Sequence, residues 1–425
     1  MTLDRTRIIF FVIIMLACII VGSLAGAQLL KSLSVPLPPI NDTGDTTGAV
    51  PPATPLPQGS IVVEFHSSNT KQDWVNQVVE SFNAAGKTIS NGQPIVVVAH
   101  HVGSGSSMDN ILDGKIQPTV WSPGSHLWVA RINQAWNDRT GQDLIRSECP
   151  ATIRAPLAIA MWEPMARALG WPDKPIGWND LAALSTNPEG WGAYGHPEWG
   201  QFKFGHPHPE HSNSGMLSLV AEVYAAAEVT EGLTVEQVKS EQVIERVGAV
   251  ERNVFHYGRL DTDILTRMTQ RGPDYLHAVT SYESNVIKWN SDHRDELQFP
   301  LAAIYPSGGT FWVQNPYCIL DTDWVTPEQV EAAVIFRDYL LSPEQQARTI
   351  QWGLRPADSS VALHDPIDLA HGAVPTITEA DVPPLPYPSD DLINHIIAMW
   401  HQVKKKATVV LLIDVSGSMQ GDKIK

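Results

Sequence analysis

Residues Pro94-Ile95-Val96-Val97-Val98-Ala99, followed by Gly103-Ser104-Gly105-Ser106-Ser107 and by apolar Met108, Ile111 and Leu112 at helical spacing, read as strand, turn and helix. The same order occurs just upstream. Ile61-Val62-Val63-Glu64-Phe65 is a short β-branched run that ends in His66-Ser67-Ser68-Asn69, after which Trp74, Val75, Val78, Val79 and Phe82 mark one face of a helix. Strands that alternate with helices predict an α/β fold with a parallel sheet, in which ligands bind where the strands' carboxyl ends meet helix N-termini.

Further along, Leu157-Ala158-Ile159-Ala160-Met161 predicts a buried strand. Phe202 to Gly205 predicts another, leading into His206-Pro207-His208-Pro209-Glu210-His211-Ser212-Asn213-Ser214-Gly215 and a small, apolar helix from Met216 to Ala227. Ala278 to Glu283 and Leu301 to Tyr305 are later strands. Thr326-Pro327-Glu328-Gln329 and Ser342-Pro343-Glu344-Gln345 open two helices in the same way: a hydroxyl caps, proline takes the first helical position and glutamine reaches back. Gly353 ends the second.

Taken together, the Ser67-Ser68 loop, Gly103-Ser104-Gly105-Ser106, Ser212-Asn213-Ser214-Gly215, Tyr282-Glu283-Ser284-Asn285 and the closing Gly353-Leu354-Arg355-Pro356 resemble the type II extracytoplasmic solute-binding proteins. That group includes molybdate- and sulfate-binding proteins, and the resemblance covers about residues 60 to 360. It implies two α/β lobes around a cleft, a periplasmic-binding-protein-like fold whose chain crosses between lobes twice, near Arg154 to Trp162 and near Tyr282 to Ile287. Lobe one would hold about 60–155 and 285–361, lobe two about 156–284. The implied ligand contacts are Ser67, Ser68, Ser104, Gly105, Ser106, Ser122, Ser212, Asn213, Ser214 and Tyr282.

The chemistry of such a site follows from its residues. Serines at strand-to-helix turns sit beside unpaired N-terminal amides, where the helix dipole favours negative charge. Hydroxyl and amide donors bind a tetrahedral oxyanion or a carboxylate without any lysine or arginine; the competing reading is ordinary N-caps. Glu283 counts against a simple oxyanion pocket, because a buried carboxylate beside an anion repels it, unless it points elsewhere. A neutral or cationic solute therefore stays open. Trp121 lines the cleft or belongs to the core. His206, His208 and His211 offer imidazoles to a metal, but a proline-rich loop with no accompanying carboxylate pattern makes solvated histidines the default.

No catalytic motif is complete. Ser68-Asn69-Thr70-Lys71 matches SxxK without its SDN and KTG partners, GxSxG does not occur, and the Gly103 loop lacks the Lys-Ser/Thr of a phosphate-cradling loop. The reading is a binding protein rather than an enzyme. A net charge of -17, with no basic stripe, excludes nucleic acid as a partner.

The two ends carry separate signals. Arg5 and Arg7 precede an uncharged run from Ile8 to Leu30, long enough for the roughly 20 residues of a membrane span. A single-pass anchor over 1–31 with the bulk of the chain extracytoplasmic is expected. The alternatives are a cleaved signal at Ala25-Gly26-Ala27 or a lipoprotein through Cys18. Residues 32–59, rich in Pro and Thr, form a disordered linker. Exported Cys149 and Cys318 either pair or remain buried thiols. Residues 362–406 read as linker and helix.

Thr408 to Ile413 then predicts a strand, and Asp414-Val415-Ser416-Gly417-Ser418-Met419 resembles the opening of a von Willebrand factor A domain. The resemblance implies oxygen ligands for Mg2+ from Asp414, Ser416 and Ser418, and a protein partner. The chain ends at Lys425, so residues 407–425 are expected to be a fragment of that domain, its metal site incomplete and no cofactor bound without the rest. The expected whole is a membrane-tethered protein that closes on a small solute such as an oxyanion, with a transporter permease as a further partner. The alternative is an adhesion or assembly protein that uses the metal site, with the lobes as scaffold.

Overall fold

A computed structural model of the chain describes residues 59–406. The apolar run at 8–30, the proline-rich stretch before residue 59 and the segment carrying Asp414, Ser416 and Ser418 lie outside the described residues. Among the described residues, no helix is long and apolar enough to cross a membrane.

The strands, in chain order, are β1 (Ile61–Ser67), β2 (Ile95–His101), β3 (Val120–Ser122), β4 (Ile153–Trp162), β5 (Phe204–Pro207), β6 (Val254–Gly258), β7 (Ala278–Tyr282), β8 (Leu301–Ile304), β9 (Trp312–Val313), β10 (Cys318–Ile319) and β11 (Arg355–Pro356). The longer helices are α1 (Gln72–Ala84), α2 (Ser104–Leu112), α3 (His126–Thr140), α4 (Glu163–Leu169), α5 (Trp178–Thr186), α6 (Asn213–Ala227), α7 (Glu241–Glu251), α8 (Asp261–Arg271), α9 (Glu283–Asp292), α10 (Pro327–Leu340) and α11 (Asp390–Val403).

They build two sheets. The first has the order β10-β3-β1-β2, with β1 parallel to both neighbours; the second has the order β11-β4-β7-β5-β6, with β8 and β9 also on β4. Apolar side chains explain the layers. Trp74, Val75, Val78 and Phe82 of α1 are buried, and Phe65 of β1 meets Tyr317 and Phe336 at 5.5 and 5.6 Å between ring centroids. Helix α6 is buried from Asn213 to Ala226, as its apolar circumference requires.

Strand β4 covers the expected first crossing and lies within the second sheet. Its start pairs with β11 and β9, and its end with β7 and β8. The return differs from the expectation at 282–287. The buried residues Leu301–Ile304 pair antiparallel with Ile159–Trp162, which keeps the chain in the second sheet past residue 285. The chain goes back through β9, paired with Ala155 and Pro156, into β10 beside β3.

The tail also corrects an expected boundary. Packing does not stop at residue 361: Val382 and Leu385 are buried, Tyr387 stacks on Phe311 at 5.3 Å, and α11 buries Leu392, Ile393, Ile396, Met399 and Trp400. Helix α11 is the helix expected within 362–406; its first turn carries Asp390 and Asp391, and Ser389 caps it by accepting from the Leu392 amide. Thr326 and Gln329 form the expected reciprocal cap, whereas Ser342 makes no side-chain cap bond.

Cys149 and Cys318 form a disulfide, their Cα atoms 4.7 Å apart across 169 residues of sequence. It ties the edge of the first sheet to the approach of the crossing strand. Replacing both cysteines by serine is expected to lower unfolding free energy by about 2–4 kcal/mol, the effect of closing a long loop in the unfolded chain. Denaturant midpoints check this, and an unchanged midpoint refutes it.

Candidate functional site

Five helix starts meet at one small cavity between the sheets, of about 30 Å3. Ser68, Asn69 and Thr70 come from the turn before α1, Gly103 and Ser104 from the start of α2, and Ser212, Asn213 and Ser214 from that of α6. Leu260, Asp261 and Thr262 open α8, and Tyr282 with Asn285 belongs to the start of α9. Each helix start follows a strand, which is why the amides gather at one edge of both sheets. Their partial positive charges add at this point. A larger cavity of about 290 Å3 adjoins it, sharing Asn69, Thr70, Thr262 and Asn285.

Segments associated with the two sheets touch each other here. A Cβ at Gly124 would lie 2.7 Å from the Asn213 side chain, and one at Gly105 would lie 2.9 Å from the Glu210 carbonyl oxygen, so both contacts require glycine. Asn213 is the centre of the junction. Its Oδ1 accepts from Ser125 Oγ and Trp128 Nε1 of the first lobe, each at 2.7 Å, and its Nδ2 donates to the Tyr282 hydroxyl of the second at 2.7 Å.

The site's charge differs from a pure array of donors. Asp261 is buried and its Oδ2 accepts from Ser281 Oγ at 2.7 Å and from Asn285 Nδ2 at 2.9 Å. Burial raises this carboxyl above its ordinary value, while hydrogen bonds from Ser281, Ser214 and Asn285 oppose the rise. Behind Ser68 lies Lys71, only 1% exposed, whose Nζ donates to the Ser122 carbonyl and to Asn315 Oδ1, both at 3.2 Å. Burial holds its amine well below the usual lysine range.

Of the ten residues named from sequence, Ser68, Ser104, Ser212, Asn213, Ser214 and Tyr282 line the cavity. Ser67, Gly105, Ser106 and Ser122 do not. Ser67 and Ser122 are strand partners in the first sheet, and the Ser67 hydroxyl donates to the Ser68 carbonyl instead. Gly105 serves as a contact point of the lobes, and the Ser106 hydroxyl accepts from Arg259 at 3.1 Å. Trp121 is 1% exposed and donates to Ser107 Oγ, a core position rather than a cleft wall.

Glu283 does point elsewhere. It is fully buried and takes a two-pronged contact from Arg355, Nε to Oε2 and Nη2 to Oε1 at 2.8 Å each, with the Tyr305 hydroxyl donating to the same carboxylate. The loop histidines are not uniformly solvated either. His206 is fully buried, and His208 stacks on His211 at 4.6 Å. Sequence reading missed Asn69, Thr70, Asp261, Thr262 and Asn285. The Asp261 turn follows β6, whose half-exposed Phe255, His256 and Tyr257 give no apolar run to signal a strand.

Residues 64–355 match the family model of the bacterial extracellular solute-binding proteins. The chain belongs to that family. The solute-binding protein is 25% identical over 299 residues to an uncharacterized protein of Mycobacterium tuberculosis, found in strains CDC 1551 / Oshkosh and ATCC 25618 / H37Rv; the match covers 67% of this chain and 41% of that protein. It therefore spans well under half the length of the curated relatives it matches.

Solved structures share the fold at low identity. A periplasmic thiamin binding protein aligns with TM-score 0.56 and 12% identity, covering 83% of this chain and 100% of that chain. The periplasmic binding protein AfuA from Actinobacillus pleuropneumoniae, with fructose-6-phosphate bound, aligns with TM-score 0.53 and 16% identity over 83% and 100%. A ferric binding protein from Campylobacter jejuni gives 0.52 and 11% over 80% and 99%. Membership in an extracellular family accords with the disulfide, since such bonds persist in oxidising compartments.

Proposed function

We propose that this solute-binding protein closes its two lobes on a small, oxygen-rich anion that presents at least one hydrogen-bond donor. The convergence of five helix starts on one closed inter-lobe cavity carries this reading. The helix-start amides of Ser104 and Ser214 suit oxygen lone pairs, whereas those of Ser68 and Ser212 already donate to the Ser122 and His208 carbonyls. Asp261 sets the discrimination, because a carboxylate accepts from a protonated oxyanion, a hydroxyl or an ammonium group and repels a fully ionised oxygen. Closure is hinge motion about β4 and β9, driven by better ligand contacts in the closed state.

In this reading the apolar run at 8–30 tethers the protein to the membrane and the bound solute passes to a permease. Asp414, Ser416 and Ser418 would belong to a metal-dependent domain that holds a protein partner.

Calorimetric titration of phosphate, hydroxycarboxylates, sulfate and molybdate tests the ligand class. Ligands that keep a donor should bind and the fully ionised pair should bind more weakly. Ser104→Ala and Ser214→Ala should each weaken binding about tenfold, the scale of one lost hydrogen bond of ~1–1.5 kcal/mol. Absence of binding across the panel, with scattering that shows no ligand-dependent compaction, refutes the reading.

A further inference from the structure

Away from the cleft, in the second lobe, His206 of β5 lies between two glutamates from different helices. Its Nε2 is 3.3 Å from Oε1 of Glu222, in the middle of α6, and 3.7 Å from Oε1 of Glu251, at the end of α7. All three side chains are at most 1% exposed. Both oxygens of Glu222 and Oε1 of Glu251 accept no hydrogen bond. Three bare carboxylate oxygens in a sealed interior are costly, since burying an ionised carboxylate without full pairing costs several kcal/mol.

We infer that His206, Glu222 and Glu251 form a buried site for a divalent transition-metal ion, zinc by preference. Four features fit. Two ligands each about 2.1 Å from a tetrahedral ion sit about 3.4 Å apart, close to the separations of His206 Nε2 from the two carboxylates. One imidazole and two carboxylates are an ordinary donor set for zinc. His206 Nδ1 is 2.6 Å from the Pro207 carbonyl oxygen, which fixes the proton on Nδ1 and turns the Nε2 lone pair toward the glutamates. Finally, two carboxylates and a neutral imidazole carry a charge of minus two, which one divalent ion cancels.

The surroundings act as an outer layer. The Tyr257 hydroxyl and Trp400 Nε1, the latter at 3.1 Å, both donate to Glu251 Oε2, leaving Oε1 for the ion. Ser218 Oγ sits 2.6 Å from Nε2, and its side chain has to turn to another rotamer before an ion binds there. Because Trp400 lies on α11, an ion here would fasten the C-terminal helix to the lobe. Two other His/carboxylate groups, Glu64–His66–His100 and Asp365–Asp368–His371, are partly exposed and already hydrogen-bonded within themselves.

The competing occupant is protons, shared among the three groups. Full-length protein refolded with Zn2+ and passed over a desalting column should retain one more metal equivalent than Glu222→Gln or Glu251→Gln treated identically. Co2+ in place of Zn2+ should give the visible absorption of a tetrahedral site, absent from both variants. Zinc should raise the wild-type melting temperature and leave that of Glu222→Gln unmoved. Equal metal content and equal Co2+ spectra in wild type and variants overturn the inference. So does a Glu222→Gln protein that melts as high as the zinc-loaded wild type, because protons then satisfy the cluster unaided.

Discussion

Replacing Arg355 by methionine is expected to lower the stability of the solute-binding protein by about 3–5 kcal/mol, the cost of leaving a buried charge without its partner. Arg355 is 7% exposed and Glu283 is fully buried, so neither gains much from solvent. The guanidinium also donates to the Ile377 carbonyl at 3.0 Å and the Val374 carbonyl at 3.3 Å, and lies over the Trp312 ring at 5.4 Å. It thereby holds the tail after β11 against the second lobe. Glu283 is the first residue of α9 and follows Tyr282 of the cavity, so loss of the pair loosens the fifth helix start as well.

Denaturant unfolding of Arg355→Met checks the figure. Adding Glu283→Gln should restore part of the loss, since a neutral amide is cheaper to bury than an unpaired carboxylate. A single variant that unfolds with the wild type, or a double variant less stable than either single, contradicts the assignment.

Much of this fold is legible because its strands are apolar and its turns are marked. Ile61–Phe65, Pro94–Ala99 and Leu157–Met161 carry enough β-branched and apolar residues to stand out, and each serine turn precedes a periodic helix. What is lost is whatever depends on pairing between distant segments. Strand β8 reads as a strand, but only its hydrogen bonds with Ile159–Trp162 show that it stays in the second lobe. The two-residue strands β9, β10 and β11 have no pattern of their own and exist because β4 and β3 offer partners.

The same limit governs the sites. Ser68, Ser104 and Ser214 are visible because serine beside a helix start has a local meaning. Asp261 is not, because an acid at a helix start is equally a routine cap. The glutamates around His206 come from 16 and 45 residues downstream, on helices whose facing sides no local motif announces. The one carboxylate within the histidine loop, Glu210, is not one of the two that face His206.

Asn213→Leu is expected to shift the protein toward an open form by about 3–5 kcal/mol, and to weaken solute binding about 3- to 50-fold. The substitution leaves Ser125 Oγ, Trp128 Nε1 and the Tyr282 hydroxyl without their present partner in the closed junction, and each buried group so stranded costs about 1–3 kcal/mol. Opening the cleft lets water satisfy all three, so the penalty falls on the closed state alone. A shift of this size takes a closed-to-open ratio of about 100 to 1 down to between about 1 to 2 and 1 to 50. Asn213→Asp retains both acceptor contacts and can accept from Tyr282 in place of donating to it, so its effect should be smaller. Small-angle scattering with and without solute reads the result: a larger radius of gyration for the leucine variant, and an intermediate one for the aspartate. Identical scattering for all three proteins would mean that the lobes are held together by something other than this residue. The glycines opposite, Gly105 and Gly124, would then be the next positions to fill, since any side chain there must push the lobes apart.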